Sequence, residues 1–344
     1  MTIVSSVSTK ASTFWRLLRS RGLGAATRHT GGYVRSLPVK PRPNPYQALR
    51  RGRLAQAIGL STEIILDTNV YNSYLQHRHG EEVLLDVHDY QMVVNVSEPG
   101  LHTDLIAYGE REVHSSAQYR SELAAISATA NRPVTVLEVG GHIGYFALMA
   151  ASVLGEAADI HGFEPSPENF ERLQDNIALN GFEDRFTLSR MAVADTTGEA
   201  TLEIGQFSNQ NYLVGEGVHA HAEETRGERI PVDQVSLDEY IREQGIAPEA
   251  VDVIRMDVQG AEYEILEGAR SILGADDSLL IFMETHPNYV PAEKQRQLTS
   301  WLSEAGLQPV YSAAGFRTPD KWPDRRVEEI GDLIDTNAEV LLKR

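Results

Sequence analysis

The sequence contains no cysteine among its 344 residues. Disulfide bonds and thiolate metal sites are therefore excluded for this chain. It also lacks any apolar run that approaches the ~20 residues needed to span a bilayer, and it shows no signal-peptide pattern. Together these absences predict a cytoplasmic protein.

Acidic residues are missing from the first 62 positions, although the formal net charge of the chain is −18. The remainder is therefore strongly acidic. Lysine is scarce and occurs only at Lys10, Lys40, Lys294, Lys321 and Lys343. An acidic surface with little lysine suits a high-salt cytoplasm, where screening reduces self-repulsion. The composition thus predicts a halophilic archaeal source and disfavours nucleic acid as a partner, because phosphates would be repelled.

The basic segment, residues 1–60, includes a proline-rich stretch at residues 38–45 that we interpret as a linker. Aromatic, leucine and arginine residues at 14–23 indicate a short helix, which either contacts an anionic membrane surface or, as we favour, docks on the acidic part of its own chain. Residues 61–130 are predicted to form a small cap, and residues 131–344 the catalytic domain. The strands expected in the cap are residues 63–66, 83–87 and 91–96.

One glycine-rich turn has the wrong spacing for a dinucleotide site. It follows an apolar run at residues 134–139 that contains Glu138, and its glycines are Gly140, Gly141 and Gly144. A pyrophosphate site needs the pattern G-x-G-x-x-G, but the positions that would complete it hold His142 and Tyr145. S-adenosylmethionine has no phosphate and carries a cationic amine, so a turn preceded by Glu138 fits that cofactor better than NAD.

Three further acids follow apolar runs. Glu164 lies about 20 positions after the turn, where doubly wound folds place the carboxylate that binds a ribose diol. Asp257 follows the run at residues 251–256, and Glu284 follows the run at residues 279–283. Since the carboxyl ends of parallel strands meet at one edge of a sheet, these acids predict a ligand crevice there.

At these residues the chain resembles the FkbM family of S-adenosylmethionine-dependent methyltransferases. The matching motifs are Gly144-Tyr145-Phe146, Phe163-Glu164-Pro165, Leu179-Asn180, the box from Asp257 to Glu262, and Glu284. Two positions depart from the family pattern: Glu138 stands where aspartate is more common, and Gln259 replaces an acid within the box. The second departure removes a charge near the expected reaction site, so we predict no metal there.

The resemblance covers approximately residues 130–310, with a core at about 136–310. It implies an α/β fold: the seven-stranded, doubly wound (Rossmann-like) sheet of class I methyltransferases, here with an N-terminal appendage. Hydrophobic periodicity supports this fold, because predicted strands alternate with predicted helices. Strands are expected at residues 134–139, 159–163 and 186–193, helices at 145–154 and 167–179, an extra strand pair at 200–204 and 229–235, a lid at 208–228, and a closing hairpin near 310–311 and 338–342.

The resemblance also implies S-adenosylmethionine as the cofactor. The residues expected to hold it are Glu138, Gly140, Gly141, Gly144, Tyr145, Glu164, Pro165, Ala192 and Asp257. Candidates for the catalytic base are Asp257, Glu284 and His286 at the strand ends. His286 is favoured, because the ordinary pKa of histidine (~6.5) is closer to neutrality than that of aspartate (~3.9); a structural histidine is the alternative. Metal binding at His219 and His221 is disfavoured, because no other ligand has a clear spacing to them.

The predicted function is O-methylation of a hydroxyl on a sugar, a glycan or another polyol-bearing small molecule, with the acceptor implied by the resemblance alone. Two alternatives stay open. An NAD-dependent oxidoreductase is opposed by His142 and Tyr145 at positions that require glycine. A degenerate methyltransferase fold that serves as a binding module is suggested by Gln259.

Overall fold

The computed structural model describes residues 82–98, 100–215, 225–258, 260–275, 278–286, 290–314, 327–334 and 338–344. Several predictions concern residues outside these ranges: the basic segment and its linker, the strand at 63–66, the histidines His219 and His221, and Gln259.

The chain divides into two compact units. One comprises Met1–Arg111 with Gln174–Asp184, and the other comprises Glu112–Leu173 with Arg185–Arg344.

The first unit contains an antiparallel hairpin of β1 (Glu82–Val87) and β2 (Tyr90–Asn95), which confirms the strands predicted at 83–87 and 91–96. Helix α1 (Leu101–Tyr108) follows. Two asparagine side chains bind the backbone of β2: Asn176 Oδ1 accepts from Val93 N at 2.8 Å, and Asn180 Oδ1 accepts from Gln91 N at 2.8 Å. These amides satisfy backbone groups of β2 that its partner strand does not reach.

The second unit is built on a seven-stranded sheet. Its strands are β3 (Val134–Val139), β4 (Ala158–Phe163), β5 (Phe186–Ser189), β10 (Val251–Met256), β11 (Leu280–Glu284), β12 (Gln308–Ala314) and β13 (Ala338–Lys343). Their order in the sheet is β12-β13-β11-β10-β3-β4-β5. Neighbouring strands are parallel except where β13 is involved, because β13 runs antiparallel to both β11 and β12.

The chain order of these strands locates a ligand crevice. From β3 the chain builds outward through β4 and β5 on one side, and it then returns to build β10 and β11 on the other. Ligands of open α/β sheets bind where the order reverses, at the carboxyl ends of the strands. Here that point lies between β3 and β10. The order and the single reversed strand confirm the predicted class I methyltransferase sheet, and the β12–β13 pair confirms the predicted closing hairpin.

Helices accompany the large sheet. They are α2 (Val113–Thr129), α3 (Tyr145–Leu154), α4 (Pro167–Asn180), α5 (Leu237–Gln244), α6 (Glu262–Glu267), α7 (Arg270–Gly274) and α8 (Ala292–Glu304). Helix α3 is apolar on all sides and almost wholly buried, so it is an internal helix rather than a surface one. Within the ranges that the structure describes, no helix combines the length and the apolar character needed to cross a membrane.

The third strand differs from the prediction for residues 186–193. Strand β5 ends at Ser189, opposite Phe163, the last residue of β4. Beyond that point β4 offers no further partner, because the chain turns away through Pro165, which has no backbone N–H. A separate strand, β6 (Ala192–Val193), pairs with β9 (Thr225–Val235) instead.

Strands β6 and β9 belong to a four-stranded sheet with the order β6-β9-β7-β8, which includes β7 (Gly198–Gly205) and β8 (Tyr212–Leu213). The pairing of β7 with β9 confirms the predicted extra strand pair. Strand β8 and the start of β9 occupy part of the predicted lid at 208–228, and residues 216–224 of it lie outside the described residues. Helix α2 belongs to the unit of the large sheet; the domain bounds at 61–130 and 131–344 stay predictions.

Candidate functional site

The backbone of the turn after β3 packs so closely against neighbouring segments that Gly140 has no room for a side chain. Gly140 N and Gly141 N both donate to Phe163 O, at 3.0 and 2.9 Å. Gly140 has φ +75°, and a Cβ there would lie 2.5 Å from the carbonyl oxygen of Asp257. Glycine is therefore required at position 140 for both conformation and space. The turn is fixed between the end of β4 and the residue that follows β10, at the point where the strand order reverses.

Gly144 begins α3 and is equally constrained. Its φ is +100°, and a Cβ would lie 2.8 Å from Leu173 Cδ1 of α4. Its backbone N–H donates to Gly141 O at 2.8 Å. The two glycines thus hold the turn against α4 and direct the N-terminus of α3 toward the crevice.

Glu164 is bound to this turn. Its Oε2 accepts from His142 N at 2.8 Å, and its Oε1 accepts from Ser166 N at 2.9 Å and from Asn169 Nδ2 at 3.5 Å. Burial raises the pKa of Glu164 to about 7, although these three donors act in the opposite direction. A carboxylate has about four acceptor positions on its two oxygens, so Glu164 retains acceptor capacity beside the turn.

A second carboxylate, Glu138, lies on the preceding strand and is 1 % exposed. Its Oε1 accepts from Arg255 Nη1 at 3.3 Å. Its Oε2 is buried without a hydrogen-bond partner among the described residues. Burial raises the pKa of Glu138 to about 7; Arg255 lowers this pKa and the charge of Asp257 adds to the increase.

Arg255 is a buried cation in the central strand β10. Its guanidinium carbon lies 4.2 Å from the centroid of the Phe146 ring, and its Nη2 is 3.5 Å from Asp257 Oδ2. An arginine on an aromatic face retains a favourable electrostatic contact in the absence of water. Arg255 thus links Glu138 at the end of β3 to Asp257 just beyond β10.

The sequence predictions assigned no role to Arg255, Asn169, Ser208 or Glu262. A single arginine within an otherwise mostly apolar strand is the feature that could have identified Arg255. Ser208 contacts the turn from the segment after β7: its Oγ lies 3.0 Å from His142 Nε2, and its carbonyl accepts from Asn169 Nδ2 at 3.0 Å. No motif predicts this contact, because it joins distant segments.

The three predicted catalytic residues are brought together. Asp257 follows β10, Glu284 ends β11 and His286 lies two residues further, and one potential ligand atom from each lies within 4.8 Å of the others. The side chains of Asp257 and Glu284 are each 23 % exposed, whereas His286 is buried. Their roles in catalysis stay predictions.

His286 is held by a carboxylate from the start of α6. Its Nδ1 lies 2.8 Å from Glu262 Oε1, and its Nε2 lies 3.6 Å from Glu284 Oε1. Burial lowers the pKa of His286, but Glu262, through its charge and its hydrogen bond, and then Glu284 and Asp257 outweigh burial and raise the pKa to about 10. At neutral pH the imidazole is therefore protonated on both nitrogens, and it can act as a base only after it has lost one of these protons.

The other predicted cofactor residues, Tyr145, Pro165 and Ala192, lie in three different surroundings. The Tyr145 hydroxyl lies 3.1 Å from Ser116 Oγ in a buried contact, which gives this side chain a packing role. Pro165 lines a groove of about 240 Å³ together with Arg190 and Pro231. Ala192 lies in β6 and not at the end of β5, so the reason for placing it beside an adenine no longer applies. Its part in binding is left as a sequence prediction.

Comparison with known proteins gives a family match. Residues 138–311, half of the chain, match the model of the methyltransferase FkbM domain. The methyltransferase sdnD of Sordaria araneosa is 28% identical over 158 residues, which are 39% of this chain and 59% of that protein. The hexuronic acid methyltransferase AglP of Haloferax volcanii is 27% identical over 174 residues, which are 49% of this chain and 62% of that protein.

Each alignment thus covers about three fifths of the relative's length. Among solved structures, an S-adenosylmethionine-dependent methyltransferase from Agrobacterium tumefaciens superposes with a TM-score of 0.40 at 13% identity, over 77% of this chain and 69% of that one. The family match covers the glycine turn, Glu164, the box from Asp257 and the strand that ends at Glu284. This chain therefore belongs to the FkbM methyltransferase family.

Proposed function

We propose that the protein is an S-adenosylmethionine-dependent O-methyltransferase that acts on a hydroxyl of a sugar or another polyol-bearing small molecule. The observation that carries the proposal is the arrangement at the strand ends. Glu138 and Glu164 flank the glycine turn, and the group formed by Asp257, Glu284 and His286 lies at the same edge of the sheet. A cofactor position and an acceptor position are therefore adjacent.

The chain's own polar atoms fit the cofactor. The buried Oε2 of Glu138 has no partner in the described part of the chain, and an ammonium group is a donor that would satisfy it. Glu164 retains acceptor capacity for a ribose diol. The close contacts of Gly140 with the Asp257 carbonyl and of Gly144 with Leu173 keep side chains out of this turn.

Methyl transfer forms the acceptor's C–O bond as the methyl–sulfur bond of the cofactor breaks; the electron pair of that bond stays on sulfur, and the hydroxyl proton goes to a base. The residues of this chain contribute positioning, which supplies up to ~7–11 kcal/mol when the reacting groups are well aligned. Asp257 and Glu284 are partly exposed at the strand ends, where they can accept hydrogen bonds from neighbouring hydroxyls of one acceptor. Glu262 fixes the His286 ring toward the same space.

The charges at this position bear on the acceptor class. Two carboxylates face the space with His286, and the nearby Arg255 already contacts Glu138 and Asp257. These charges disfavour an anionic acceptor and favour a neutral polyol, whose hydroxyls donate to carboxylates. A hexuronic acid, named for the relative AglP, would need an additional positive charge at this position.

The two alternatives make different predictions. Hydride transfer requires a nicotinamide dinucleotide, and the turn has His142 and Tyr145 where that cofactor needs glycine. A binding module would retain the cofactor site and lack turnover.

Calorimetry on the full chain with S-adenosylmethionine, S-adenosylhomocysteine and NAD tests the cofactor. We expect binding of the first two and none of NAD. Incubation with methyl-labelled cofactor and a panel of neutral and acidic sugars then tests turnover, with label expected in a base-stable ether of a neutral sugar. Binding of NAD alone would contradict the proposal, and cofactor binding without label transfer to any acceptor would support the binding module instead.

A further inference from the structure

Side chains of three kinds converge at the ends of β10 and β11: an aspartate, a glutamate and a histidine. One ligand atom each from Asp257, Glu284 and His286 lies within 4.8 Å of the other two, and Glu284 Oε1 is 3.6 Å from His286 Nε2. Donors bonded to one cation at about 2.1 Å lie about 3 to 4 Å apart. Small rotations of the two partly exposed carboxylates would close the remaining gap.

The histidine ring is fixed by a second carboxylate outside this group. Glu262 is 3 % exposed, and its Oε1 lies 2.8 Å from His286 Nδ1. The same oxygen accepts from Gly260 N at 3.2 Å, so Glu262 is itself held in place. A carboxylate on one ring nitrogen fixes the ring and directs the other nitrogen outward, which is the arrangement found behind most metal-binding histidines. A cation bound at that nitrogen displaces the proton that it carries in the cation-free protein. Here the other nitrogen, Nε2, faces Glu284.

We propose that Asp257, Glu284 and His286 bind a divalent first-row transition cation, oriented through Glu262. Two carboxylates and one imidazole form a mixed oxygen and nitrogen donor set that Mn²⁺, Fe²⁺ and Zn²⁺ accept. Three protein ligands leave coordination positions open for other oxygens. The sequence-based expectation of a metal-free site rested on Gln259, and that residue is not one of the three ligands.

Neighbouring charges favour a cation at this position. Glu284 is the direct cross-strand partner of Glu339 on β13. Burial first, and then nearby carboxylates that include Glu284, raise the pKa of Glu339 well above its ordinary value, and Glu339 is hydrogen-bonded to Ser115. With Glu262 and Asp257, four carboxyl groups therefore lie at or beside the position. A divalent cation at Asp257, Glu284 and His286 reduces their mutual repulsion.

The role of the cation in methyl transfer rests on the proposed function. The binding of the cation to the protein does not. Open coordination positions would take two neighbouring acceptor oxygens, as in a vicinal diol or a hydroxy acid, and would lower the pKa of a bound hydroxyl. The cation would also supply the positive charge that an acidic sugar needs at this position. The acceptor class is therefore a molecule with two adjacent oxygen ligands.

Mn²⁺ titration followed by electron paramagnetic resonance tests the site on the chelator-treated full chain, without cofactor or acceptor. The titration is run in molar potassium chloride so that unspecific attraction to the acidic surface is screened. We expect saturable binding of about one Mn²⁺ per chain and electron-spin-echo modulation from a coordinated imidazole nitrogen.

Glu284→Gln and Asp257→Asn should each weaken Mn²⁺ binding at least ~10-fold, and Glu262→Gln should weaken it by ~10- to 100-fold, as removal of an orienting partner does. His286→Gln should abolish the nitrogen modulation. Glu243→Gln, which alters an exposed acid on α5, is the matched control and should bind as the unaltered protein does. Circular dichroism confirms that each variant is folded.

Non-saturable binding, or equal affinity in Asp257→Asn, Glu284→Gln and the control, would overturn the proposal. Saturable binding without nitrogen modulation would also overturn it, since the histidine would then not be a ligand. Calorimetry with S-adenosylmethionine on the unaltered protein separates the two proposals: if this protein shows no saturable Mn²⁺ binding but still binds the cofactor, only the cation site is removed.

Discussion

Arg255 and Glu138 are direct cross-strand partners on the parallel strands β10 and β3, and both side chains are almost completely buried. They occupy the sheet's central strands: Glu138 lies two residues before Gly140, where the cofactor turn begins, and Arg255 lies two residues before Asp257. Removal of two charges from water costs several kcal/mol per ion, so such a pair is rarely retained for stability alone. Its position between the cofactor turn and the acceptor side suggests that it orients the carboxylates of both.

Replacement of Arg255 by methionine should strongly destabilise the protein. The substitution would leave Glu138 buried without its cation, which typically costs ~3–5 kcal/mol. Urea denaturation measures the change in the free energy of unfolding. The double variant Arg255→Met, Glu138→Gln is the control and should recover much of the loss, because it removes the unpaired charge. Equal stability of Arg255→Met and the unaltered protein would show that the pair contributes nothing.

Glu164→Ala should nearly abolish binding of S-adenosylmethionine while the chain remains folded. A hydrogen bond to a charged group contributes ~1.5–3 kcal/mol, which corresponds to a loss of roughly 10- to 150-fold in affinity. Calorimetry measures the Kd, and circular dichroism checks the fold. Glu168→Ala, four residues further along the chain in α4, is the matched control, because its side chain is 80 % exposed. An unchanged Kd in Glu164→Ala would remove the assignment of this carboxylate to the cofactor.

Cofactor affinity should rise with pH and level off above about pH 7, because a ribose diol donates to the ionised form of Glu164, whose pKa is about 7. The stability of the unliganded protein should change in the opposite direction. A carboxyl with a folded pKa above its usual 4.5 contributes stability that is fully present below pH 4.5 and is lost as pH rises toward 7.

This contribution is on the order of 3 kcal/mol. Glu164→Gln cannot ionise, so its Kd and its unfolding free energy should each depend less on pH than those of the unaltered protein. Glu138 also has a pKa of about 7 and is present in both proteins. The difference between their pH curves therefore reports on Glu164 alone. Parallel pH curves for both proteins would contradict the prediction.

His286→Ala should lower the rate of methyl transfer at least ~100-fold and leave cofactor affinity nearly unchanged. The rate should fall whether His286 accepts the hydroxyl proton or binds a cation, because both roles concern the acceptor and not the cofactor. Asp257→Ala should impair both the rate and cofactor binding, because its side chain contacts Arg255, which in turn binds Glu138 beside the cofactor turn. Normal turnover by His286→Ala would make this histidine purely structural.

Folding and activity should require molar salt. The chain carries a net charge of −18, and its acids lie entirely after residue 62, so self-repulsion is strong unless counterions screen it. Melting temperatures in dilute buffer and in molar potassium chloride measure the effect, and sucrose of equal osmolality controls for solvent exclusion. Identical melting temperatures in all three conditions would argue against a halophilic protein.

The central sheet could be predicted from the sequence because its inner strands are buried on both faces. Strands β3 (VTVLEV) and β4 (ADIHGF) are mostly apolar runs, and α3 is almost entirely apolar, so their bounds follow largely from local pattern. The acids at the strand ends were found for the same reason, since each one terminates or follows such a run. Register with a neighbouring strand was not needed for these predictions.

Features that depend on distant partners could not be predicted. The end of β5 is set by the length of β4 and not by its own residues, so the sequence of residues 186–193 predicts one strand where the structure has two, β5 and β6. Arg255 pairs with Glu138 across 117 positions, and Ser208 contacts His142 across 66. The orientation of His286 by Glu262 depends on where α6 begins relative to β11. None of these contacts leaves a periodic pattern in the sequence.

Strand β13 lies between β11 and β12 although it follows both in the chain. At the ribosome, β11 and β12 are therefore complete before the strand that joins them has been synthesised. Until β13 has been synthesised, β11 and β12 each expose an edge of unpaired backbone N–H and C=O groups. The exposed edge of β11 belongs to a strand with apolar residues such as Phe282 and Met283. The catalytic unit consequently acquires its final sheet by one late insertion, and nascent chains that stop before residue 338 should be substrates for chaperones that bind exposed strand edges.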